Sequence, residues 1–301
     1  MNKGNIIRWI AVSLMLCCIA LTVSSPAIAE EKTYQLGIDQ LIPGNPTIPS
    51  GWTDAENYSD PTITVTTEHM VVKKLPCSIV RIKIADPSQI RTAMSHDDYS
   101  KTGYVKALAL SKHVNAVAAV NGDFFKYYDF GYLVRQGVLY RDAPNGKRDV
   151  LFIDDQGDFY AVRNAKSEDI QDFLTSTFPK DRTVINTFTL GPVLVENGEV
   201  QEITTREFQH CYKMQRVAIV QLGHLEYAIV ECDGKADASY GMTMTDFAAF
   251  IKELFPDCLL AYNLDGGGST NVIVGEKRIH KNPNTRQISD ILYFASAYTE
   301  E

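Results

Sequence analysis

The chain has 301 residues, with 29 basic against 37 acidic side chains, a net charge of −8, and 45% hydrophobic residues. That acidity argues against a general binder of nucleic acid or anionic membrane, and the length is ample for one large core. A local basic pocket remains compatible with it.

Lys3 and Arg8 precede an apolar stretch over residues 9–23, and Ala27-Ile28-Ala29 follows as a small-x-small cleavage site. This is the form of a secretory signal peptide. An uncleaved anchor competes with it, because the stretch nearly reaches spanning length. Cleavage near Ala29 is the expectation, leaving a secreted or surface-held chain with no membrane span. It removes two basic residues and no acidic ones, so 27 face 37 and the net charge becomes −10. Cys77, Cys211, Cys232 and Cys258 remain; they allow three disulfide pairings, and the sequence does not choose among them. Their spacing is not a metal-site pattern, nor is that of His113, His210 and His280.

Residues 30–65 hold Pro43, Pro46, Pro49 and Pro61 with Gly44 and Gly51, and read as a Pro/Gly-rich leader with little regular structure. Residues 66–301 read as one domain. Val80, Ile82 and Ile84 alternate with Arg81 and Lys83, which predicts a strand with one buried face. Val105, Leu108 and Ala109 suggest a helix, and 114–120 a strand. Segments 151–153 and 159–162 flank Asp154-Asp155-Gln156-Gly157 as a hairpin, and Ile170, Phe173 and Leu174 suggest a second helix. The run 192–195 turns at Asn197-Gly198, the strongest short hairpin cue. Segments 216–221 and 226–232 predict another hairpin around Gly223-His224. Thr243-x-x-Asp246 is a capping box, and Phe247, Phe250, Ile251 and Leu254 follow at helical spacing. Strands at 258–264, 271–275 and 290–296 complete the chain. Regular βαβ alternation is absent, so the expected class is α+β (mixed α/β): mixed β-sheets with hairpins and a few packed helices in a single domain.

Two segments carry chemistry. The buried run 260–264 ends in Asp265-Gly266-Gly267-Gly268-Ser269-Thr270. Three glycines cannot pack a core, and each adds about 1 kcal/mol of ordering cost relative to Ala. Bare N–H groups turned toward negative oxygens would explain them. Ala118-Ala119-Val120-Asn121-Gly122-Asp123 repeats the theme. Alone it could be an Asx turn closing a strand. With Asp265 it suggests two strand-end acids converging in one cleft, the usual apparatus of glycoside hydrolysis. Arg135, Arg216 and Arg286 could match a phosphate bidentately, or each could pair with a structural acid.

The ordered set Val120-Asn121-Gly122-Asp123-Phe124-Phe125, Gly191-Pro192-Val193-Leu194-Val195-Glu196-Asn197-Gly198, Arg216, Tyr240-Gly241-Met242-Thr243 and Asn263-Leu264-Asp265-Gly266-Gly267-Gly268-Ser269-Thr270 resembles the phosphodiester glycosidase family over residues 78–297. The last motif is the most specific. Where such proteins often carry Pro-Arg-Thr, this chain has Gln215-Arg216-Val217. The resemblance implies hydrolysis of a sugar-1-phosphodiester, with the sugar leaving and a phosphomonoester remaining on the acceptor. On that reading Asp123 and Asp265 are catalytic. Asn121, Arg135, Arg216, Gly266, Gly267, Gly268, Ser269, Thr270 and Arg286 bind substrate or its phosphate. No cofactor is expected, although a structural Ca²⁺ would fit the acidic loops. The rival readings are a non-catalytic module for wall or capsular phosphoglycans and a phosphodiesterase that cleaves P–O.

Overall fold

Alternating apolar residues in most of the predicted strands do form sheets, and nearly every sheet is covered on both faces. A computed structural model describes residues 35–38, 43–100, 103–203, 211–235, 240–280 and 285–300. The stretch expected to be a signal peptide, Ala29 and His210 lie outside the described residues. The largest sheet has eight strands. In spatial order they are Tyr58–Ser59, Ile63–Val72, Leu75–Ile84, Glu226–Cys232, Arg216–Gly223, Leu260–Asn263, Val193–Glu196 and Glu199–Val200. A five-stranded sheet follows the order Lys277–Arg278, Val272–Val274, Ala116–Asn121, Asp290–Ala295, Ile90–Met94. A three-stranded sheet is ordered Val184–Leu190, Asp149–Asp154, Phe159–Val162, and Gly131–Arg135 forms a hairpin with Val138–Ala143. Each of these pairings is antiparallel. The fold is therefore α+β, as expected, and antiparallel pairing explains the missing βαβ signal.

Period-two patterning assigns the faces. On Leu75–Ile84, Cys77 and Ile79 pack to one side, while Val80, Ile82 and Ile84 pack to the other. The first side lies under helix Met244–Leu254 through Phe247, Ala248 and Ile251. That helix begins as predicted, with the Thr243 hydroxyl accepting from Asp246 N–H at 3.1 Å. The second side meets the smaller sheets at Val117, Val120, Leu151, Phe188 and Leu292. Helix Ala107–His113 covers the outer face of the five-stranded sheet through Leu110, and Ile170 of helix Ser167–Asp172 packs with Phe152 on the three-stranded one.

The leader differs from the sequence reading. Residues 43–65 belong to the folded body, and the proposed boundary at 65/66 falls inside strand Ile63–Val72. Tyr58, 2% exposed, packs against Trp52 with ring centroids 4.8 Å apart, and Asn45 N–H donates to Ser296 carbonyl at 3.0 Å. The prolines shape the approach of this segment to the core; they do not free it from the core. Cys77, Cys211, Cys232 and Cys258 are free thiols, with Cys77, Cys232 and Cys258 buried and Cys211 exposed.

Two interior strands place the motifs. Leu260–Asn263 lies between Arg216–Gly223 and Val193–Glu196, and Ala116–Asn121 lies between Val272–Val274 and Asp290–Ala295. Their C-terminal ends meet, because Asp265 N–H donates to Gly122 carbonyl at 3.3 Å across the two sheets.

Candidate active site

The junction of those strand ends opens into a cavity of about 410 Å³ lined by Asp265, Gly266, Gly267, Gly268, Arg216 and Arg286, among others. A larger cavity, about 600 Å³, opens between residues 46–55 and the turn at Gly275, and holds none of the candidate site residues. The smaller one carries the chemistry.

Asp265 is its acid. The side chain is 17% exposed, and Oδ2 accepts from Arg286 Nη2 at 2.8 Å. Burial raises its pKa above the ordinary carboxylate value; Arg286 and Ser269 oppose that, and the nearby Asp123 adds to it. Arg286 also donates through Nε to Ser269 Oγ, and its guanidinium lies 4.4 Å over the Phe124 ring. One arginine thus ties together the acid, the hydroxyl after the glycines and an aromatic wall.

The glycine run has two separate reasons to exist. Gly267 has φ of 57°, a left-handed turn that favours glycine, and its N–H donates to Gln215 carbonyl at 3.0 Å. A Cβ on Gly266 would stand 2.7 Å from that same carbonyl oxygen. The glycines let the loop press against the strand that brings in Arg216. Gly267 N–H is therefore spent within the protein, a correction to its assignment as a ligand donor. The N–H groups of Gly266 and Gly268 have no partner among the described residues.

Arg216 is 3% exposed and holds its fork against two carbonyls, Met242 at 3.2 Å and Tyr212 at 2.8 Å. Burial pushes its pKa down to about 10, so it stays a cation at neutral pH. Arg148 lines the same cavity, 5.9 Å from the Tyr128 ring centroid. The sequence reading missed it, as it missed Phe124, Tyr127 and Tyr128; nothing local marks an arginine in Lys147-Arg148-Asp149. Asn263 faces the cavity with its amide bonded to Gly191 carbonyl at 2.8 Å and its Oδ1 buried without a partner.

Several expected site residues lie behind the cavity. Asp123 is 1% exposed, with Oδ1 accepting from Arg135 Nη2 at 3.0 Å and Oδ2 from Thr189 N–H at 2.7 Å. Both oxygens are committed, so it influences Asp265 through charge only. Arg135 is fully buried between Asp123 and Asp290, with Nη2 to Asp290 Oδ2 at 2.7 Å, and also donates to Thr187 carbonyl. It neutralises buried acids and does not line the cavity. Asn121 donates to Asp265 carbonyl at 2.8 Å and accepts from Asn271 N–H at 2.9 Å, so it fixes the acid's backbone and does not line the cavity. Ser269 and Thr270 are buried; Ser269 positions Arg286, and Thr270 Oγ1 has no partner among the described residues.

Asp290, unmarked in the sequence, completes the layer beneath. Burial raises its pKa well above the carboxylate range, Arg135 opposes the shift, and Asp123 and Asp265 add to it. Gly122 is small to make room for it, since a Cβ there would meet the Asp290 carboxyl oxygens at 2.3 and 2.4 Å. Among the described residues no group of three or more His, Cys, Asp or Glu side chains is placed to hold a metal ion.

Comparison with known proteins bears on the family and the fold. Residues 114–295 match the phosphodiester glycosidase family. An uncharacterized SPbeta prophage-derived protein, YomE, of Bacillus subtilis (strain 168) is 27% identical over 190 residues, which is 60% of this chain and 28% of that protein. This chain thus spans little more than a quarter of that relative's length. The fold is shared with the catalytic domain of zebrafish N-acetylglucosamine-1-phosphodiester alpha-N-acetylglucosaminidase, auto-inhibited by its pro-peptide. The TM-score is 0.61 at 17% identity, covering 80% of this chain and 86% of the other. A hypothetical protein from Synechocystis is also similar, with a TM-score of 0.54 at 13% identity over 77% and 62% of the two chains. The chain belongs to the phosphodiester glycosidase family.

Proposed function

We propose that this member of the phosphodiester glycosidase family hydrolyses the glycosyl C–O bond of a sugar-1-phosphodiester, releasing the sugar and leaving a phosphomonoester. The observation that carries the reading is one carboxylate, Asp265, sharing a 410 Å³ cavity with three arginines, Arg148, Arg216 and Arg286. An anionic diester entering an acidic protein needs such a local cationic wall. A phosphate is already a fair leaving group, so stabilising its charge matters more than protonating it.

In the proposed step Asp265 takes a proton from water as the water oxygen bonds to the anomeric carbon. The C–O electron pair leaves with the phosphate oxygen, and the arginines meet the charge that grows there. A raised pKa suits Asp265 to this work, because a stronger base accepts the proton more readily. Asn263 Oδ1, buried without a partner, is placed to accept from a sugar hydroxyl. No step calls on a metal, and the extracytoplasmic setting read from residues 1–29 forms part of the same proposal.

The test is turnover of UDP-N-acetylglucosamine and a synthetic sugar-phosphoryl-methyl diester in H₂¹⁸O, read by mass spectrometry. Label in the free sugar with unlabelled phosphomonoester is the expected result. Label in the phosphate would mean P–O cleavage and overturn the reading.

A further inference from the structure

Aromatic side chains continue past the cavity. Tyr104, Phe124, Tyr127, Tyr128 and Phe130 make a chain of ring contacts, with successive centroids 5.4, 5.1, 5.1 and 4.7 Å apart. None of the five is buried, and Tyr127 is 67% exposed. A contiguous set of partly exposed rings beside a polar cavity is the kind of surface that takes a ligand, because burial would otherwise be favoured. Phe124, Tyr127 and Tyr128 line the cavity, whereas Tyr104 lies beyond Phe124 and Phe130 beyond Tyr128.

Backbone strain falls at the same place. Phe124 has φ of 61° and ψ of 35°, a left-handed conformation that is costly for a bulky side chain. Strain of this kind persists where surrounding contacts hold it, and it clusters at ligand sites. Here it holds the Phe124 ring under Arg286 and stacked on Tyr127 at an interplanar angle of 15°.

We propose that this stripe binds saccharide on both sides of the scissile phosphodiester. The substrate is then an oligosaccharide or polysaccharide joined by internal sugar-1-phosphodiester bonds and cut within the chain. The proposal rests on the hydrolase reading above. A pyranose ring presents a face of C–H bonds that packs on an aromatic ring while its hydroxyls stay in water, which suits rings left partly exposed. Nucleobases also stack on such rings, but a nucleic acid has its phosphodiesters on C3′ and C5′ and offers no anomeric C–O–P bond for Asp265 to act on.

The experiment compares the full chain with a Tyr104→Ala/Phe130→Ala double variant on two substrates. One is a poly(N-acetylglucosamine 1-phosphate) polysaccharide, and the other is the small methyl diester. The double variant should lose about tenfold in kcat/KM on the polymer and keep its value on the diester. Equal values on the polymer, or equal losses on both, overturn the proposal. The polymer's chain length should fall before free N-acetylglucosamine accumulates; release of monosaccharide at unchanged chain length overturns internal cleavage. Calorimetry with the neutral N-acetylglucosamine tetramer separates the two readings. Tetramer binding that weakens in the double variant supports the stripe even if no diester is hydrolysed, in which case the hydrolase reading alone falls. No tetramer binding by the unaltered chain overturns the stripe.

Discussion

Asp265 supplies the only carboxylate among the described residues lining the cavity, and Arg286 holds it at 2.8 Å. Asp265→Asn keeps the shape and removes the base, so kcat should fall about 10²–10⁴-fold with an unchanged circular dichroism spectrum. Activity within a few-fold of the unaltered protein would remove Asp265 from the mechanism. Two of the three arginines that the sequence groups as phosphate ligands, Arg135 and Arg286, should separate sharply. Arg135→Leu leaves Asp123 and Asp290 buried without their counter-ion and should cost about 3–5 kcal/mol in urea unfolding. Arg286 is 49% exposed, so Arg286→Ala should change stability by less than about 1 kcal/mol while substrate turnover collapses. Similar unfolding curves for the two variants would contradict the division between buried ion pair and cavity wall. Asp265 was legible because three consecutive glycines at the end of a buried strand mark a close approach of backbone beside the acid. Asp290 was not, because an acid opening an apolar strand shows no local sign of the arginine 155 residues away that holds it.

Strand pairing adds a further support to the site. Glu231, on the strand beside Arg216–Gly223, is 1% exposed and accepts from Gln215 Nε2 at 2.8 Å. Gln215 in turn holds Gly267 N–H through its carbonyl. Burial pushes Glu231 up to about 8, with Gln215 pulling weakly the other way. The folded chain therefore keeps a proton there that the unfolded chain releases near the ordinary glutamate value of 4.5. The stability it contributes is complete below that value and is lost as pH rises through about 8. Thermal midpoints measured from pH 5 to pH 8.5 should fall more steeply for the unaltered protein than for Glu231→Gln, and parallel curves would refute the assignment. Elements like this also show where periodicity fails. The hairpin at Asn197-Gly198 and the helix after Thr243 were readable because turn chemistry and capping are local. Val184–Leu190 was not, because Asn186, Thr187 and Thr189 are buried polar residues that bond across to Thr92 and the backbone of Tyr132 and Val134. Polar residues in a core read as loop when their partners are far away in sequence.

At the scale of the molecule the site exists because two sheets stack so that their motif strands end together. Sequence suggested that Asn121-Gly122-Asp123 and Asp265 converge, but only the packing brings them within bonding distance, and it does so with Asp123 turned inward. Asn121 is the weld. Its amide donates to Asp265 carbonyl at 2.8 Å, and its oxygen accepts from Asn271 N–H at 2.9 Å, so one side chain spans both motifs and the strand that follows the glycines. Asn121→Ala leaves the buried Asn271 N–H unsatisfied, at about 1–3 kcal/mol, and frees the part-buried Asp265 carbonyl at a smaller cost. If Asn121 bound substrate directly, its loss would raise KM. If it holds Asp265 in place from behind, kcat should fall while KM changes little, because catalysis depends on placing the acid to within a fraction of an ångström. The expected result is a destabilised variant with reduced kcat and near-normal KM, measured below its unfolding transition. A raised KM at normal kcat would return Asn121 to the substrate and show that the junction between the sheets is held by other contacts.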